Sequence, residues 1–351
     1  MIKRIMLMGM KSKLFLTMLV LGCCTAVHAQ NEVFTATLTH GDQVSVFIGN
    51  NAFVQAHEAA ADGDVITLSS GTFAPTPITK SVTVYGAGYE KNAELGIDVT
   101  QLNGNLMVGV VGTTLSNIHI EGVKVNGDIR VLEGSDVEGL IVKRCYLTKG
   151  FGHYGNSKNT LIQECILTSG FFNGGTAQTP VAENMSIRNC YIAGNVDCFG
   201  TSSTLVVENS LVTGYAGGYL WKNCILPYRW VGAYYDRGAF EGGSGTTGAT
   251  VVNCIIVVLY GSAAKENNVF TDCYVGADYL FNDSPGSRDY SYSATRTFEL
   301  RRDDWLGTDG TEVGMHGGSG WSKVPSIPVV KSLDLNVEGS DLKVTYEAEV
   351  R

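Results

Sequence analysis

The chain has 351 residues with 34 acidic and 25 basic side chains, so its formal net charge at pH 7 is -9. This acidic balance argues against a nucleic-acid partner, because no basic surface is available to replace the counterions of the phosphates. Gly is abundant, with 43 residues, and Pro is scarce, with 7. That composition is typical of short strands joined by tight turns.

The N-terminus has the pattern of a secretory signal peptide. Basic residues precede the apolar run 14–21, and Ala29 ends a short cleavage-site pattern. We predict a signal peptide over 1–29 and a secreted, periplasmic or outer-surface protein; a lipobox-like segment that ends at Cys23 keeps a lipoprotein as the alternative. Removal of the leader would leave 21 basic against 34 acidic residues, a net charge near -13. No other stretch is long and apolar enough to span a membrane.

The first predicted element after the leader is an amphipathic helix over 51–62 that ends at Gly63. Two short strand patterns follow at 65–68 and 81–85, with Gly-containing turns between them. A helix in this position would cover the apolar end of a stacked fold.

A phrase then recurs: an apolar residue, a polar residue, Asn or an acid, then Cys and two apolar residues. The Cys position of successive copies holds Val123, Cys145, Cys165, Cys190, Ser210, Cys224, Cys254 and Cys273. The mean step is about 21 residues, which indicates a solenoid whose turns bury their apolar faces against one another. We predict an all-β, single-stranded parallel β-helix with three faces over 30–308. The step of 14 residues before Cys224 is short for a full turn, and the step of 30 before Cys254 predicts a loop within 227–247.

Strand alternation places each Cys, and the residue two positions later, on the inward face. Stacked Cys residues would lie about 4.8 Å apart, outside the disulfide Cβ–Cβ range of roughly 3.5–4.5 Å. We therefore predict buried free thiols and neither disulfides nor metal ligands. The residue before Cys should lie at a bend and hydrogen-bond along the stack. Seven cysteines remain after the leader, and this odd count leaves Cys198, outside the repeat, as the candidate free thiol.

The residue immediately after each Cys position should face outward. These residues are Tyr146, Ile166, Tyr191, Leu211, Ile225, Ile255 and Tyr274. An outward apolar stripe predicts a binding surface, and flat rings suit sugar faces. The alternatives are that the aromatic rings stack between successive turns, or that the long loop and the C-terminal hairpin cover the stripe.

The repeat ends near Leu280, and 282–302 reads as polar and irregular. A Gly-rich stretch, 309–320, precedes two strands with alternating apolar residues. The alternation predicts that each strand has one apolar face, made of Leu333, Leu335 and Val337 in the first strand and Leu342, Val344, Tyr346, Ala348 and Val350 in the second. We assign 309–351 to this Gly-rich segment and a C-terminal β-hairpin cap.

A resemblance joins these elements. The helix at 51–61 with the strands through Gly88 resembles the N-terminal part of pectin-lyase-like right-handed parallel β-helices, and the Asn-Cys phrases fit the same superfamily. The segment 309–314 resembles the tail of secreted β-helix proteins from gram-negative gut bacteria. The resemblance covers about 50–320 and implies a right-handed helix with an N-terminal helix cap. It implies little about activity, because this fold hosts lyases, hydrolases, esterases and adhesins.

One segment also resembles pectin methylesterases. Gly194-Asn-Val-Asp197 is similar to the motif whose Asp attacks the ester carbonyl, which would make Asp197 the nucleophile. Arg229 stands at best in the place of a downstream Gly-Arg-Pro-Trp segment. The second Asp that serves as general acid is missing, because the upstream region reads Gly174-Gly-Thr-Ala-Gln178. The alternative is a surface Asp on a turn of the solenoid.

The leading hypothesis is a secreted or cell-surface protein, without catalytic activity, that binds extracellular polysaccharide along an aromatic-lined flank. The alternatives are an esterase or lyase with Asp197 and Arg229 as catalytic residues, and a purely structural adhesin. The predicted ligand-binding residues are Tyr228, Trp230, Tyr234, Tyr235, Asp236, His153 and Phe172. We predict no metal site and no cofactor, with calcium as the alternative.

Overall fold

The first elements are an antiparallel hairpin and a helix. They are β1 (Thr35–His40), β2 (Gln43–Ile48) and α1 (Ala52–Ala59). The predicted helix is therefore confirmed, and it is shorter than the pattern. The hairpin was not predicted, although the alternation of Ala36 and Leu38, which are buried, is a strand signal. The Lys80 ammonium donates to the backbone carbonyls of His57, Glu58 and Ala60 at 2.9, 2.8 and 2.6 Å and so satisfies the end of α1.

The computed structural model describes residues 34–93, 98–172, 180–196, 202–227, 229–231, 236–238, 248–257, 268–326, 329–338 and 341–349. For 229–231, 236–238 and 329–349 the description is of the backbone. The predicted leader and Cys198 lie outside these residues. No helix in the described ranges is long and apolar enough to cross a membrane.

The strands after α1 have two to four residues each, apart from the last two, β33 and β34, which have ten and nine. The first group is β3 (Val65–Leu68), β4 (Gly71–Phe73), β5 (Thr83–Tyr85), β6 (Thr100–Leu102), β7 (Leu106–Val108), β8 (Thr114–Ser116), β9 (His119–Glu121), β10 (Lys124–Val125), β11 (Asp128–Val131), β12 (Asp136–Glu138), β13 (Ile141–Lys143), β14 (Tyr146–Leu147), β15 (Gly150–His153), β16 (Asn156–Lys158), β17 (Leu161–Gln163) and β18 (Ile166–Leu167). The second group is β19 (Phe171–Phe172), β20 (Ala182–Glu183), β21 (Met185–Arg188), β22 (Tyr191–Ile192), β23 (Leu205–Glu208), β24 (Leu211–Val212), β25 (Leu220–Lys222), β26 (Ile225–Leu226), β27 (Arg229–Val231), β28 (Asp236–Gly238), β29 (Thr250–Val252), β30 (Ile255–Ile256), β31 (Val269–Thr271), β32 (Tyr274–Val275), β33 (Val329–Glu338) and β34 (Asp341–Glu349).

All of these strands except β27, β28, β33 and β34 stack into a parallel β-solenoid of about eight turns, which confirms the predicted architecture at this level. Sheet A has the order β2-β1-β3-β5-β9-β13-β17-β21-β23-β25-β29-β31, and sheet B runs from β4 to β32. Sheet C is β7-β11-β15-β19, and sheet D is β8-β12-β16-β20. Turns that contribute one strand to each of the four sheets have four faces, whereas the sequence predicts three.

The two unusual steps in the repeat have different explanations. Between Ser210 and Cys224 the chain has strands of sheets A and B but none of sheets C and D, where Ala216 forms a single bridge to Val196. Leu211 still pairs with Ile225, so 14 residues complete a turn. The longer step carries the antiparallel pair β27–β28, which confirms the insertion predicted within 227–247.

The bend between sheets A and B uses one left-handed residue in each turn. Those residues are Arg144, Glu164, Asn189, Asn209, Asn223, Asn253 and Asp272, with φ between 46° and 55°. We call this set the bend column. Asn is the non-glycine residue that adopts this conformation most readily, which explains why Asn recurs in it.

The Cys residue after each bend satisfies a backbone donor of the preceding turn. The Cys145 N–H donates to Cys165 Sγ at 3.4 Å, and the Cys190 N–H donates to the Ser210 hydroxyl at 3.1 Å. Among the described residues all six cysteines are free, five are buried and Cys273 is partly exposed. The predicted thiol ladder is therefore confirmed. Burial raises the pKa of the Cys145 thiol well above its usual value.

The outward stripe beside the Cys ladder is covered by a second apolar layer. Residues 277–305, which we call the outer layer, lie on sheet B and bury Ile166, Leu211 and Ile255 completely. The apolar residues of the second cluster that come from the outer layer are Leu280, Phe281, Phe298, Leu300 and Trp305, with Tyr290 and Tyr292 packed against them. The stripe is thus part of a second core rather than a free surface, and the polar segment 282–302 contributes to it.

The chain then returns along the bend column as an irregular segment with several turns, residues 306–326, which we call the return strap. Asn223 Oδ1 accepts from the Thr308 N–H at 2.9 Å. Asn189 Nδ2 donates to the Met315 and Gly317 carbonyls at 2.9 and 2.7 Å. At these positions the bend column hydrogen-bonds to the strap. The sequence predicts instead that these side chains bond to one another along the stack.

The strap ends at a buried charge cluster. Arg144 Nε lies 2.8 Å from Glu164 Oε2, and its Nη1 lies 3.3 Å from Glu121 Oε1 and donates to the Ser326 hydroxyl at 2.6 Å. Glu121 is 1% exposed, and the Ser326 N–H donates to it at 2.7 Å. Burial alone would raise the pKa of Glu121, but hydrogen bonds from His119 and Ser326 outweigh burial and hold the pKa at about 2. A carboxylate charged at all ordinary pH values therefore anchors the strap.

Candidate functional site

Most of the predicted site residues lie outside the described side chains. Asp197, Tyr228, Tyr234 and Tyr235 are outside the described residues altogether. Arg229, Trp230 and Asp236 are described by their backbone, in β27 and β28, where Trp230 pairs with Arg237 and Val231 with Asp236. Their proposed roles stay predictions.

His153 and Phe172 are described, and they lie on opposite faces of sheet C. His153 pairs with the inward-facing Val131 and is fully buried, with Nε2 2.9 Å from the Ser157 hydroxyl. Phe172 pairs with Gly152 on the outward face and is partly exposed. The structure therefore does not bring these two predicted ligand-binding residues to one surface.

Phe172 belongs to a stack of side chains on the outer face of sheet C. The Arg130 guanidinium lies 4.6 Å from the ring centre of Tyr154, whose ring meets the Phe172 ring edge-on at 6.1 Å. Gly152 makes room for them, because a Cβ there would lie 2.7 Å from the Tyr154 ring. Asp128 holds the guanidinium at 2.6 Å. We call Arg130, Tyr154 and Phe172 the aromatic stack.

A groove lies on the outer face of the neighbouring sheet D. It encloses about 390 Å³, within the usual range of ligand sites, roughly 300–1,000 Å³. Its lining residues are Thr114, Asp136, Val137, Glu138, Asn156, Ser157, Lys158, Val181 and Glu183. We call this surface the sheet D groove. Tyr154 of the aromatic stack precedes Asn156 of the groove by two residues.

Strand pairing arranges the polar lining in columns. Asp136 pairs with Thr114 on one side and Asn156 on the other, and Glu138 pairs with Lys158, which pairs with Glu183. Residues so paired in a parallel sheet lie about 4.8 Å apart. The inward residues between these columns, such as Val137, are buried.

The groove side chains are held by one another and still leave donors and acceptors at the surface. Asn156 Nδ2 donates to Asp136 Oδ1 at 3.0 Å, and Lys158 Nζ lies 3.0 Å from Glu183 Oε1. A hydrogen bond from Lys158 to Glu183 raises the pKa of the Lys158 ammonium, which is therefore charged at neutral pH. No group of three or more His, Cys, Asp or Glu residues within the described ranges is arranged to hold a metal ion.

The sequence held only a weak signal for this groove. Each sheet D strand has three residues or fewer. In β8, β12 and β16 one inward residue lies between two outward polar residues, as in Asn156-Ser157-Lys158. No residue marks the strand as Cys marks sheet B. The periodic signal of sheet D is therefore visible only once the turns are aligned.

No family model, curated protein or solved structure matches the chain. The assignment of a function to the sheet D groove and the aromatic stack therefore rests on their geometry alone.

The two buried His residues predict an acid-dependent stability. Burial lowers the pKa of His153 and of His57 from 6.5 to about 4, so the unfolded chain binds more protons between these pH values. The free energy of unfolding should be highest above pH 6.5 and fall as the pH drops to about 4, by at most about 3 kcal/mol for His153.

Urea unfolding between pH 7.5 and 4 checks this dependence. His153→Gln should lower stability at neutral pH but flatten its pH dependence, because the titrating group is gone. An equal slope in the wild type and in the variant would contradict the assignment.

Proposed function

We propose that the chain is an exported, non-catalytic β-solenoid that binds extracellular polysaccharide in the sheet D groove. The observation that carries the proposal is the paired column arrangement of Asp136, Asn156, Glu138, Lys158 and Glu183 over successive turns. A polysaccharide is a repeating polyhydroxyl chain, and repeated donors and acceptors at a constant spacing suit it.

The aromatic stack supports the same proposal. Flat amphipathic rings bind sugar faces by apolar contact, and Tyr154 and Phe172 stand at the end of sheet C next to the groove. The outward stripe of sheet B cannot contribute, because the outer layer buries it. We therefore place the aromatic contact on sheet C, where Phe172 belongs to the predicted ligand-binding set.

We also propose that the solenoid is right-handed and of the pectin-lyase-like type, with α1 as its N-terminal cap. Parallel strands joined by crossovers within one sheet are almost always right-handed, which favours this hand. The cap is supported by Phe53 and Ala56 of α1, which are buried in the core with Ile66 of the first turn.

Export is proposed from the leader pattern of 1–29. The mass of the protein recovered from a secreting bacterial host tests it. A mature chain that begins at Gln30 is expected, and a lipid-modified chain that begins at Cys23 would contradict cleavage after Ala29.

Glycan affinity electrophoresis tests the binding proposal. Asn156→Ala with Lys158→Ala should weaken retention on the bound polysaccharide about tenfold or more, because two hydrogen bonds of about 1 kcal/mol each are lost. Phe172→Ala should weaken it independently of the groove. The control is Arg188→Ala, which removes an exposed side chain from the outer face of sheet A. Retention that is equal in the groove variant and the control would contradict the groove, and failure of the wild type to bind any glycan would contradict the function.

The second candidate is a structural adhesin. The observation that favours it is the covered stripe, since burial of the apolar flank by the outer layer stabilises the solenoid without any ligand. If the wild-type protein binds no glycan, the structural adhesin is the candidate that remains.

A further inference from the structure

One face of sheet A carries exposed apolar side chains at its free edge. Val44, Val46 and Ile48 of β2 are 61, 58 and 66% exposed, and β2 is the terminal strand of the sheet. A free edge with aliphatic residues on one face is a surface that proteins usually cover. The groove and the aromatic stack are on other sheets, so the proposed function does not use this face.

The register connects this face to the end of the return strap. Val46 pairs with Thr37, Thr37 with Thr67, Thr67 with Tyr85 and Tyr85 with Glu121. Paired residues share a face of the sheet, so the Val46 and Glu121 side chains point to the same side. Ser326 at the end of the strap is bonded to Glu121, which places it on that face.

The chain reaches this point while travelling toward β2. In order along the strap, Thr308 contacts Asn223, Met315 contacts Asn189, Ser322 contacts Glu164 and Ser326 contacts Glu121. These partners lie on successively earlier turns of the solenoid. The strand β33 begins three residues after Ser326 and forms a separate two-stranded sheet with β34.

The sequence of this hairpin predicts one apolar face. Leu333 pairs with Tyr346, Leu335 with Val344 and Val337 with Leu342, whereas the intervening pairs are polar, as in Asn336 with Lys343. A hairpin of two strands is marginal in water unless its apolar face packs on something.

We propose that the hairpin β33–β34 packs its apolar face on the exposed face of β2 and β1 and so closes the N-terminal edge of the solenoid. The strap ends at Glu121 of β9, and β2 is four strands from β9 in sheet A, a distance of about 19 Å. A ten-residue strand such as β33 spans about 33 Å, so the hairpin is long enough to reach β2. The other free edge, β31, is seven strands from β9 in the opposite direction, about 34 Å. Distance and chain direction therefore both favour β2. The sequence predicts a C-terminal cap, and in this proposal the hairpin at the C-terminus covers the N-terminal edge.

Hydrogen exchange of the full chain, followed by mass spectrometry, tests the proposal. Leu335→Asp should speed exchange in peptides that cover 43–48 about tenfold or more, because a carboxylate would be buried against Val46. Val46→Asp should speed exchange in peptides that cover 329–349. The matched control is Asn336→Asp, which places the same carboxylate on the polar face opposite Lys343 and should leave 43–48 unchanged.

Two outcomes would overturn it. In the first, peptides over 43–48 exchange equally in the wild type, Leu335→Asp and Asn336→Asp, while circular dichroism shows all three folded. In the second, light scattering finds a wild-type dimer that Leu335→Asp converts to a monomer, which would assign the apolar face to a second copy of the chain.

Discussion

The structure depends on a bend that is repeated once in each turn. A single left-handed residue between sheets A and B turns the chain, and the Cys or Ser that follows it accepts the backbone N–H of the turn before. This arrangement keeps the buried backbone satisfied where the ladder is interrupted. It also points the bend residue outward, where its side chain holds the return strap. The position of the return strap therefore depends on hydrogen bonds from this column, and the outer layer leads directly into the strap.

The cover over sheet B decides where a ligand can bind. With the outer layer on the stripe, the aromatic rings of Tyr146 and Tyr191 pack against Tyr292 at 5.9 and 5.4 Å instead of facing solvent. Among the residues that the structure describes, no such layer lies over the aromatic stack of sheet C or the groove of sheet D. The outward residues of sheet B would form a flank that could bind sugars if the solenoid were uncovered. In this protein they belong to a second core.

Periodicity explains which parts of the molecule the sequence could predict. Every copy of the phrase has the bend residue, then the Cys position, then an inward residue two positions later. This internal spacing is constant although the distance between copies varies, so each copy supports the others. The strap has no period, and its contacts join residues such as Asn189 and Met315 that are 126 positions apart. Nothing local in 306–326 indicates that it lies along the bend column. The inward position of His153 follows from its register with Val131, which the chemistry of the side chain does not reveal.

The central claim is that the return strap, whose Val313 and Met315 belong to the second core over the stripe, unfolds as one unit with the solenoid. Native-state hydrogen exchange at low denaturant tests it through two amides. The Gly314 N–H donates to the Asn223 carbonyl at 2.8 Å, and the Ile225 N–H donates to the Ser210 carbonyl at 2.8 Å inside the ladder. We predict that both exchange only through global unfolding, with equal opening free energies. Exchange of Gly314 by local opening, while Ile225 stays protected, would contradict the claim.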